Sequence, residues 1–531
     1  MLSPARAFQT SAALRPMFQR MRSTNVGKRQ TLRGGGYKFD DPGTARGVFH
    51  TAMKGNHDYD YDYLCIGGGS GGVRSSRIAA THGAKVALVE CASGGDRKEG
   101  GFGGLGGTCV NVGCVPKKLM TYGAHFAHDM HDAEHYGWEN ANPTLNWKRF
   151  IENKNKEILR LNGIYKNMLT NAGVELIDGY AKLVDAHTVD IDGKKVTAET
   201  ILVAVGGWPM MPKVEGGELA ITSNEAFFLD ERPERVIIVG GGYIAIEFAG
   251  IFSGYGSKTT QIIRGDLWLR GFDQDVREHL VTEYTNQGVD LKFNTNIAKM
   301  EKVAGGIKVT YEDGSTQEAD VVMYATGRAP RTKNLDCEAA GVKLDAAGAI
   351  IVDEGFQTSV PSIYAVGDVI NRIQLTPIAL AEGHSLADTL FGGKPRKTDY
   401  SDVPTAVFSS PPIGTVGLTE EEARVKHKNV HIYRSTFRGM KHTLTGRQEK
   451  TLMKLIVNAD DDKILGIHMV GDAAGEVIQL AGVAIKAGVT KENFDSTIGV
   501  HPTSAEEFCT MRTRVPDAEP AAVAKTAVAK Y

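Results

Sequence analysis

The sequence predicts an α/β protein built from two Rossmann-like dinucleotide-binding domains followed by a C-terminal α+β domain. Three observations predict it. Gly67, Gly69 and Gly72 spell G-x-G-x-x-G between a short apolar run and a helical stretch. Gly240, Gly242 and Ala245 repeat the pattern as G-x-G-x-x-A, and residues 402–515 hold several strand-like runs with one Ala-rich helix. In a βαβ unit such glycines let the backbone approach a pyrophosphate at a helix N-terminus. Two units imply two cofactors, or one cofactor duplicated.

Residues 1–58 read as a transit peptide and linker. Arg6, Arg15, Arg20, Arg22, Lys28, Arg29 and Arg33 stand among Ser and Thr, with no acid before Asp40. Phe8, Leu14 and Phe18 give an amphipathic face that favours a mitochondrion over a plastid, although Pro16 interrupts it. Met53 offers an internal start for a cytosolic form.

The folded chain opens with a strand at Tyr61–Ile66, the turn Gly67-Gly68-Gly69-Ser70-Gly71-Gly72 and a helix through Ala80. A second strand, Lys85–Val89, ends in Glu90, an acid placed to accept a ribose hydroxyl. Ser93 to Gly104 lacks apolar periodicity and reads as a surface loop. The stretch Gly106–Lys118 then sets Cys109 and Cys114 five positions apart at a helix start. Pro116 suits the first turn, and the unpaired N–H groups there favour a thiolate, so Cys114 is expected to be the more acidic thiol. A structural disulfide or two buried thiols remain open for this spacing alone. Residues 125–138 and 148–169 read as polar helices, the second carrying Arg160, Asn162 and Tyr165.

In the second unit, Arg235–Val239 leads into Gly240-Gly241-Gly242-Tyr243-Ile244, and the strand Thr259–Ile263 ends in Arg264 where the first unit has Glu90. Arg264 and Arg270 can pair with a 2′-phosphate, which points to NADP(H) rather than NAD(H). Two further apolar runs close on Gly327, followed by Arg328, and on Gly367, followed by Asp368. Asp368 suits a flavin's ribityl or phosphate region, or is a turn residue. Near the C-terminus, His501 precedes Pro502 with Glu506 five positions on, the parts of an oriented general acid/base. A lone histidine is more often structural. The tail, 516–531, is Ala-rich and reads as disordered.

Composition narrows the class. With 531 residues, 42% of them hydrophobic, the chain supports several cores. A net charge of -2, without basic runs in the body, argues for a small-molecule substrate and against nucleic acid. No apolar run reaches the roughly 18 residues of a membrane span. Six cysteines with one close pair suit a reducing compartment rather than a disulfide scaffold, and no metal site is expected.

Taken in order, these motifs resemble the pyridine nucleotide–disulfide oxidoreductases, and the glutathione reductase branch in particular, over about residues 60–515. The insert before the cysteines, Arg74 and Glu506-Glu507-Phe508 look more like plant and algal members. The resemblance implies an FAD-binding domain at 59–207 completed by 331–401, an NADPH-binding domain at 208–330, and a dimerisation domain at 402–515 of a homodimer. It implies that a redox-active Cys109–Cys114 disulfide carries electrons from NADPH through FAD to glutathione disulfide. In that scheme Cys114 lies against the flavin and Cys109 attacks the substrate, while His501, oriented by Glu506, serves the partner subunit's cysteines.

The same resemblance makes Tyr243 a lid beside Ile244 and places Lys117 and Glu247 as an ion pair near the flavin. Gly107, Thr108, Glu90, Asp368, Thr376, Gly327 and Arg328 match cofactor contacts. Arg77 matches a carboxylate-binding arginine and Tyr165 the aromatic between the glutathione halves, with Arg74 and Glu507 nearby. His384 departs from the second substrate arginine of animal and bacterial members. A trypanothione-type site would carry Glu and Trp near positions 74 and 77, where this chain has two arginines. Dihydrolipoamide dehydrogenases read Pro-Ser-Lys after the second cysteine, and thioredoxin or mercuric reductases need a C-terminal redox pair where only Cys509 stands. A non-catalytic flavoprotein would have no use for the full set of Cys109, Cys114, Lys117, Glu247 and His501.

Overall fold

A computed structural model describes residues 57–91, 104–139 and 143–516. The expected transit peptide with most of its linker, all but the last residue of the Gly-rich insert, and the tail from Asp517 lie outside the described residues.

Strand β1 (Tyr61–Ile66) is buried along almost its whole length, as a strand covered on both faces must be. A glycine turn opens α1 (Ser70–Thr81), and β2 (Val86–Glu90) lies parallel to β1. Gly67 holds φ +108, and a Cβ there would lie 2.5 Å from the Ala204 carbonyl oxygen, so only glycine makes this turn. After α2 (Gly107–Val112), α3 (Cys114–His135) and α4 (Trp147–Asn171), the chain returns as β3 (Glu175–Asp178) beside β2. Next come β4 (Ala181–Leu183), β5 (Thr188–Ile191) and β6 (Lys194–Val203). The first half of β6 closes an antiparallel hairpin with β5, and its second half runs parallel to β1.

The second unit comprises β7 (Arg235–Val239), α5 (Tyr243–Gly254), β8 (Lys258–Ile263), α6 (Gln274–Asn286), β9 (Asp290–Phe293) and β10 (Val321–Tyr324). Its sheet is wholly parallel in the order β9-β8-β7-β10. An antiparallel meander over Ile297–Val303, Gly306–Tyr311 and Thr316–Ala319 stands between β9 and β10 in sequence. The chain then re-enters the first sheet: β11 (Ile363–Ala365) pairs parallel with β6 and leads to α7 (Thr376–Phe391). Gly383 of α7 packs so close to α1 that a Cβ would lie 2.5 Å from the Gly71 carbonyl oxygen.

The C-terminal unit is an antiparallel sheet of β12 (Thr405–Val407), β13 (Ile413–Gly417), β14 (Val430–Arg438), β15 (Lys450–Asn458) and β16 (Ile464–Val470), in the order β12-β13-β16-β15-β14. Helix α8 (Ala474–Lys486) covers it through Ala474 and Ile478, packed with Val416, Ile467 and Met469. The fold is thus two doubly wound α/β units and an α+β unit, the class the sequence predicts.

One helix differs from its expectation. The helix read at 125–138 is the second half of α3, which starts at Cys114 and runs unbroken to His135. Gly123 looks like a breaker in the sequence, yet it marks where α3 presses against α5. A Cβ on Gly123 would collide with the Tyr255 hydroxyl.

Candidate active site

Several chain segments end at one cleft of about 540 Å³. The first glycine turn contributes Gly67, Gly69, Ser70 and Gly71, and β2 ends there in Glu90. The redox stretch contributes Gly107, Thr108, Cys109, Cys114 and Lys117; α5 supplies Tyr243, Ile244 and Glu247; and Arg328, Gly367, Asp368 and Thr376 close the far side. Gly72, Gly240, Gly242 and Gly327 shape the neighbouring turns without lining the cleft.

The cleft suits an elongated phosphorylated group. Helix α1 begins with no side-chain cap and no acid in its first turn, which leaves N–H donors free for an anion. Helix α7 also lacks a side-chain cap. Glu90 Oε2 accepts the Gly68 N–H at 2.6 Å, and burial pushes its carboxyl above the usual range. Burial does the same to Asp368, against the pull of Arg328. Arg328 donates to the Gly207 carbonyl at 2.6 Å and to Thr108 Oγ1 at 3.2 Å, tying the redox stretch to the far wall.

Cys114 is the first residue of α3, and Cys109 sits one turn before it on α2. A hydrogen bond from the Cys109 thiol holds Cys114 well below the usual thiol range, with Thr376 (Sγ to Oγ1 3.7 Å) and Lys117 adding to it. The same bond, together with burial, raises Cys109. The pair therefore carries one thiolate, on Cys114, and one proton, on Cys109. Below them, Lys117 Nζ lies 2.8 Å from Glu247 Oε1, both groups nearly buried, and Glu247 also accepts the Phe408 N–H at 2.9 Å.

Tyr165 feels Cys109, Arg74 and Cys114, and His384 feels Arg74 and Arg77. Of Arg74, Arg77, Tyr165 and His384, Tyr165 is the one whose surroundings include the cysteines, and none of the four lines the cleft itself. Neither Arg74 nor Arg77 has a hydrogen-bond or ion-pair partner among the described residues. His501 stands elsewhere. Its side chain is 80% exposed, with Nδ1 2.9 Å from Glu506 Oε1, outside its own chain's cleft. Glu507 opens the short helix that follows.

Three residues of the site escaped the sequence reading. Phe408 lies under Lys117, ring centroid to Nζ 4.1 Å; Arg331 lines the cleft, stacked on Trp208 at 4.5 Å; and Glu382, buried, accepts the Gly367 N–H at 2.7 Å. None belongs to a spaced motif. Only the fold brings them in.

The pyridine nucleotide-disulphide oxidoreductase model matches residues 61–383, and the dimerisation domain of the same proteins matches residues 403–512. The chain belongs to this family. A glutathione reductase of Burkholderia cepacia is 49% identical over 86% of the chain and 99% of its own length. The chloroplastic/mitochondrial glutathione reductase of Pisum sativum is 48% identical over 86% of the chain and 83% of its own length. A trypanothione reductase of Trypanosoma congolense follows at 45% over 85% of the chain and 95% of its own length. Among solved structures, the HOCl-induced flavoprotein disulfide reductase RclA from Escherichia coli superposes with a TM-score of 0.76 at 27% identity, covering 85% of this chain and 99% of that one.

As a pyridine nucleotide–disulphide oxidoreductase, the protein is a homodimer that uses FAD and NADPH to reduce a disulfide. Its residues fit both cofactors. The uncapped start of α1 and the half-buried Glu90 and Asp368 suit FAD. Arg264 and Arg270, exposed at the end of β8 and just beyond, have no partner among the described residues. The Leu269 N–H bonds the Gly241 carbonyl at 2.7 Å, so Arg270 borders the second glycine turn.

Two free guanidinium groups there have a measurable consequence. Replacing both, Arg264→Ala with Arg270→Ala, is expected to raise KM for NADPH by about 10²-fold while KM for NADH changes little, since each charge-assisted bond contributes about 1.5–3 kcal/mol. Equal weakening of both nucleotides in steady-state assays would remove the 2′-phosphate role.

Proposed function

We propose that this protein is a glutathione-disulfide reductase that maintains thiol redox balance with NADPH. The observation that carries the substrate choice is the pair of guanidinium groups on α1, Arg74 and Arg77, which have no partner among the described residues, with Arg74 near the Tyr165 that also feels Cys109. Such a cationic approach selects a disulfide that carries carboxylates. The glutathione reductase relatives support the same reading, while the trypanothione reductases at 45% identity keep the substrate a matter for experiment.

FAD, held at the α1 turn, Glu90 and Asp368, would supply the two-electron link between NADPH and the Cys109–Cys114 disulfide. The chain's own residues do the rest. Lys117 and Thr376 hold Cys114 as a thiolate, and Cys109 passes its proton to His501 of the partner subunit and attacks one sulfur of the substrate disulfide. That S–S bond breaks, a Cys109–glutathione mixed disulfide forms, and the departing thiolate takes a proton from His501 of the partner subunit. Cys114 then attacks the Cys109 sulfur, releases the second glutathione thiolate and recloses the internal disulfide. Glu506 holds the His501 Nδ1, so that Nε2 does the proton transfer.

Steady-state kcat/KM on oxidised glutathione and on its fully esterified derivative tests the substrate reading. Loss of the carboxylates is expected to lower kcat/KM about 10²-fold or more, the scale of one or two charge-assisted contacts. A higher kcat/KM on the ester, or on trypanothione disulfide, would reassign the substrate.

The Arg-containing, acid-poor leader supports a mitochondrial destination, with a cytosolic form from Met53. A fluorescent fusion to residues 1–58 that stays in the cytosol would overturn it.

A further inference from the structure

Arg270 is exposed and has no partner among the described residues, so the backbone that carries it decides where its guanidinium stands. That backbone is the segment from Arg264 to Asp273, which joins β8 to α6. Near its start the Asn294 N–H donates to the Gly265 carbonyl at 3.0 Å, and in its middle the Leu269 N–H donates to the Gly241 carbonyl. Leu269 holds φ +50, a left-handed conformation that a bulky side chain keeps only when its surroundings impose it. Trp268 beside it is buried, and Arg277 of α6 donates from Nε to the Trp268 carbonyl at 2.6 Å.

The end of the segment is held from another part of the molecule. Asp273, fully buried, caps α6 by accepting the Asp275 N–H at 3.1 Å. Its Oδ1 also accepts from Lys454 Nζ at 2.9 Å, and its Oδ2 accepts the Glu420 N–H at 3.0 Å. Lys454 lies on β15 and Glu420 opens the short helix Glu420–Lys426, so both donors belong to the C-terminal unit. Lys454 is 1% exposed, and its Nζ lies 2.7 Å from a carboxylate oxygen of Asp275 and 2.7 Å from one of Glu420. An ammonium buried among three carboxylates is a rigid joint, because moving Asp273 out of it leaves charge unpaired away from water.

We propose that Lys454, acting through Asp273, is a positioning residue for coenzyme choice: the dimerisation domain fixes the segment that presents Arg270 to the 2′-phosphate of NADPH. This rests on Arg270 as the 2′-phosphate contact. A guanidinium has to meet a phosphate within about half an ångström to bond it well, and Arg270 stands three residues before Asp273. Loosening the joint is therefore expected to weaken nucleotides that carry the 2′-phosphate and to spare those that lack it. Charge alone makes a different forecast. Asp273→Asn removes a negative charge near the segment, which by its field would tighten an anion, whereas Lys454→Met removes a positive one. Loss of the joint loosens the phosphate in both.

Calorimetric titration of adenosine 2′,5′-bisphosphate into the oxidised holoenzyme, with AMP as the nucleotide that lacks the 2′-phosphate, reads this without catalysis. Asp273→Asn and Lys454→Met are each expected to raise the bisphosphate Kd about three- to tenfold and to leave the AMP Kd within about twofold, the scale of a coupling carried through packed groups. Asp273→Asn keeps the side chain's shape and an oxygen for the α6 cap, so it reports even if Lys454→Met fails to fold. In an Arg270→Ala background neither variant is expected to raise the bisphosphate Kd further, since the contact they position is already gone. A tighter or unchanged bisphosphate Kd in Asp273→Asn, an equal loss of both nucleotides, or an undiminished effect in the Arg270→Ala background overturns the proposal alone. An Arg270→Ala protein that binds the bisphosphate as the wild type does overturns the 2′-phosphate contact with it.

Discussion

Cys109→Ser is expected to reduce no disulfide, while NADPH still bleaches the flavin. The two sulfurs are not interchangeable, because one hydrogen bond divides them. Cys114, at the first position of α3, holds the negative charge, and Cys109 holds the proton. Cys109 is also the sulfur that acts more strongly on Tyr165. A serine at 109 preserves shape and a hydrogen-bond donor but is no thiol nucleophile near neutral pH. Turnover of oxidised glutathione is therefore expected to fall below about 10⁻³ of wild type, the scale of losing a covalent catalyst. Stopped-flow absorbance follows the NADPH half-reaction, and a coupled thiol assay follows the other. A Cys109→Ser enzyme that still reduces oxidised glutathione at a tenth or more of the wild-type rate, roughly 1.4 kcal/mol in barrier, would assign the exchange to Cys114.

How much of this was legible depends on whether a residue's chemistry is local in sequence. The glycine turns were legible because close backbone approach constrains the residue type itself, as at Gly67, where any side chain meets the Ala204 carbonyl. The cysteine pair was legible because spacing and a helix start lie in one stretch. The ion pair of Lys117 and Glu247 spans 130 positions, and no periodicity connects them; the family resemblance supplied it. Phe408 and Arg331 were missed because each reaches the cleft from a different part of the fold, and Glu382 because it acts from α7 on the Gly367 turn behind the cleft. The extent of α3 was misjudged. The Gly106–Lys118 stretch and residues 125–138 were read separately, whereas one helix joins them and its Gly123 leaves room for Tyr255.

His501→Gln tests the proton transfer and the dimer at once. In one chain His501 and Glu506 form an oriented pair that stands free of the cleft, the His501 side chain 80% exposed, with Ile498 and Val500 beside it also exposed. Placed against the Cys109 of a second subunit, it supplies the acid that the departing thiolate needs and takes the proton that Cys109 holds. Glutamine keeps a polar side chain of similar reach but cannot shuttle a proton, so reoxidation by glutathione disulfide is expected to slow about 10²–10⁴-fold. Flavin reduction by NADPH is expected to persist. Mixing inactive Cys109→Ser and His501→Gln chains and allowing subunits to exchange then decides where the histidine acts. Random reassortment makes about half the dimers mixed, and each mixed dimer holds one site with both an intact cysteine pair and an intact histidine, so about a quarter of all sites recover. If mass spectrometry shows mixed dimers and activity stays absent, His501 does not serve the partner's cysteines, and Cys109 must lose its proton by another route.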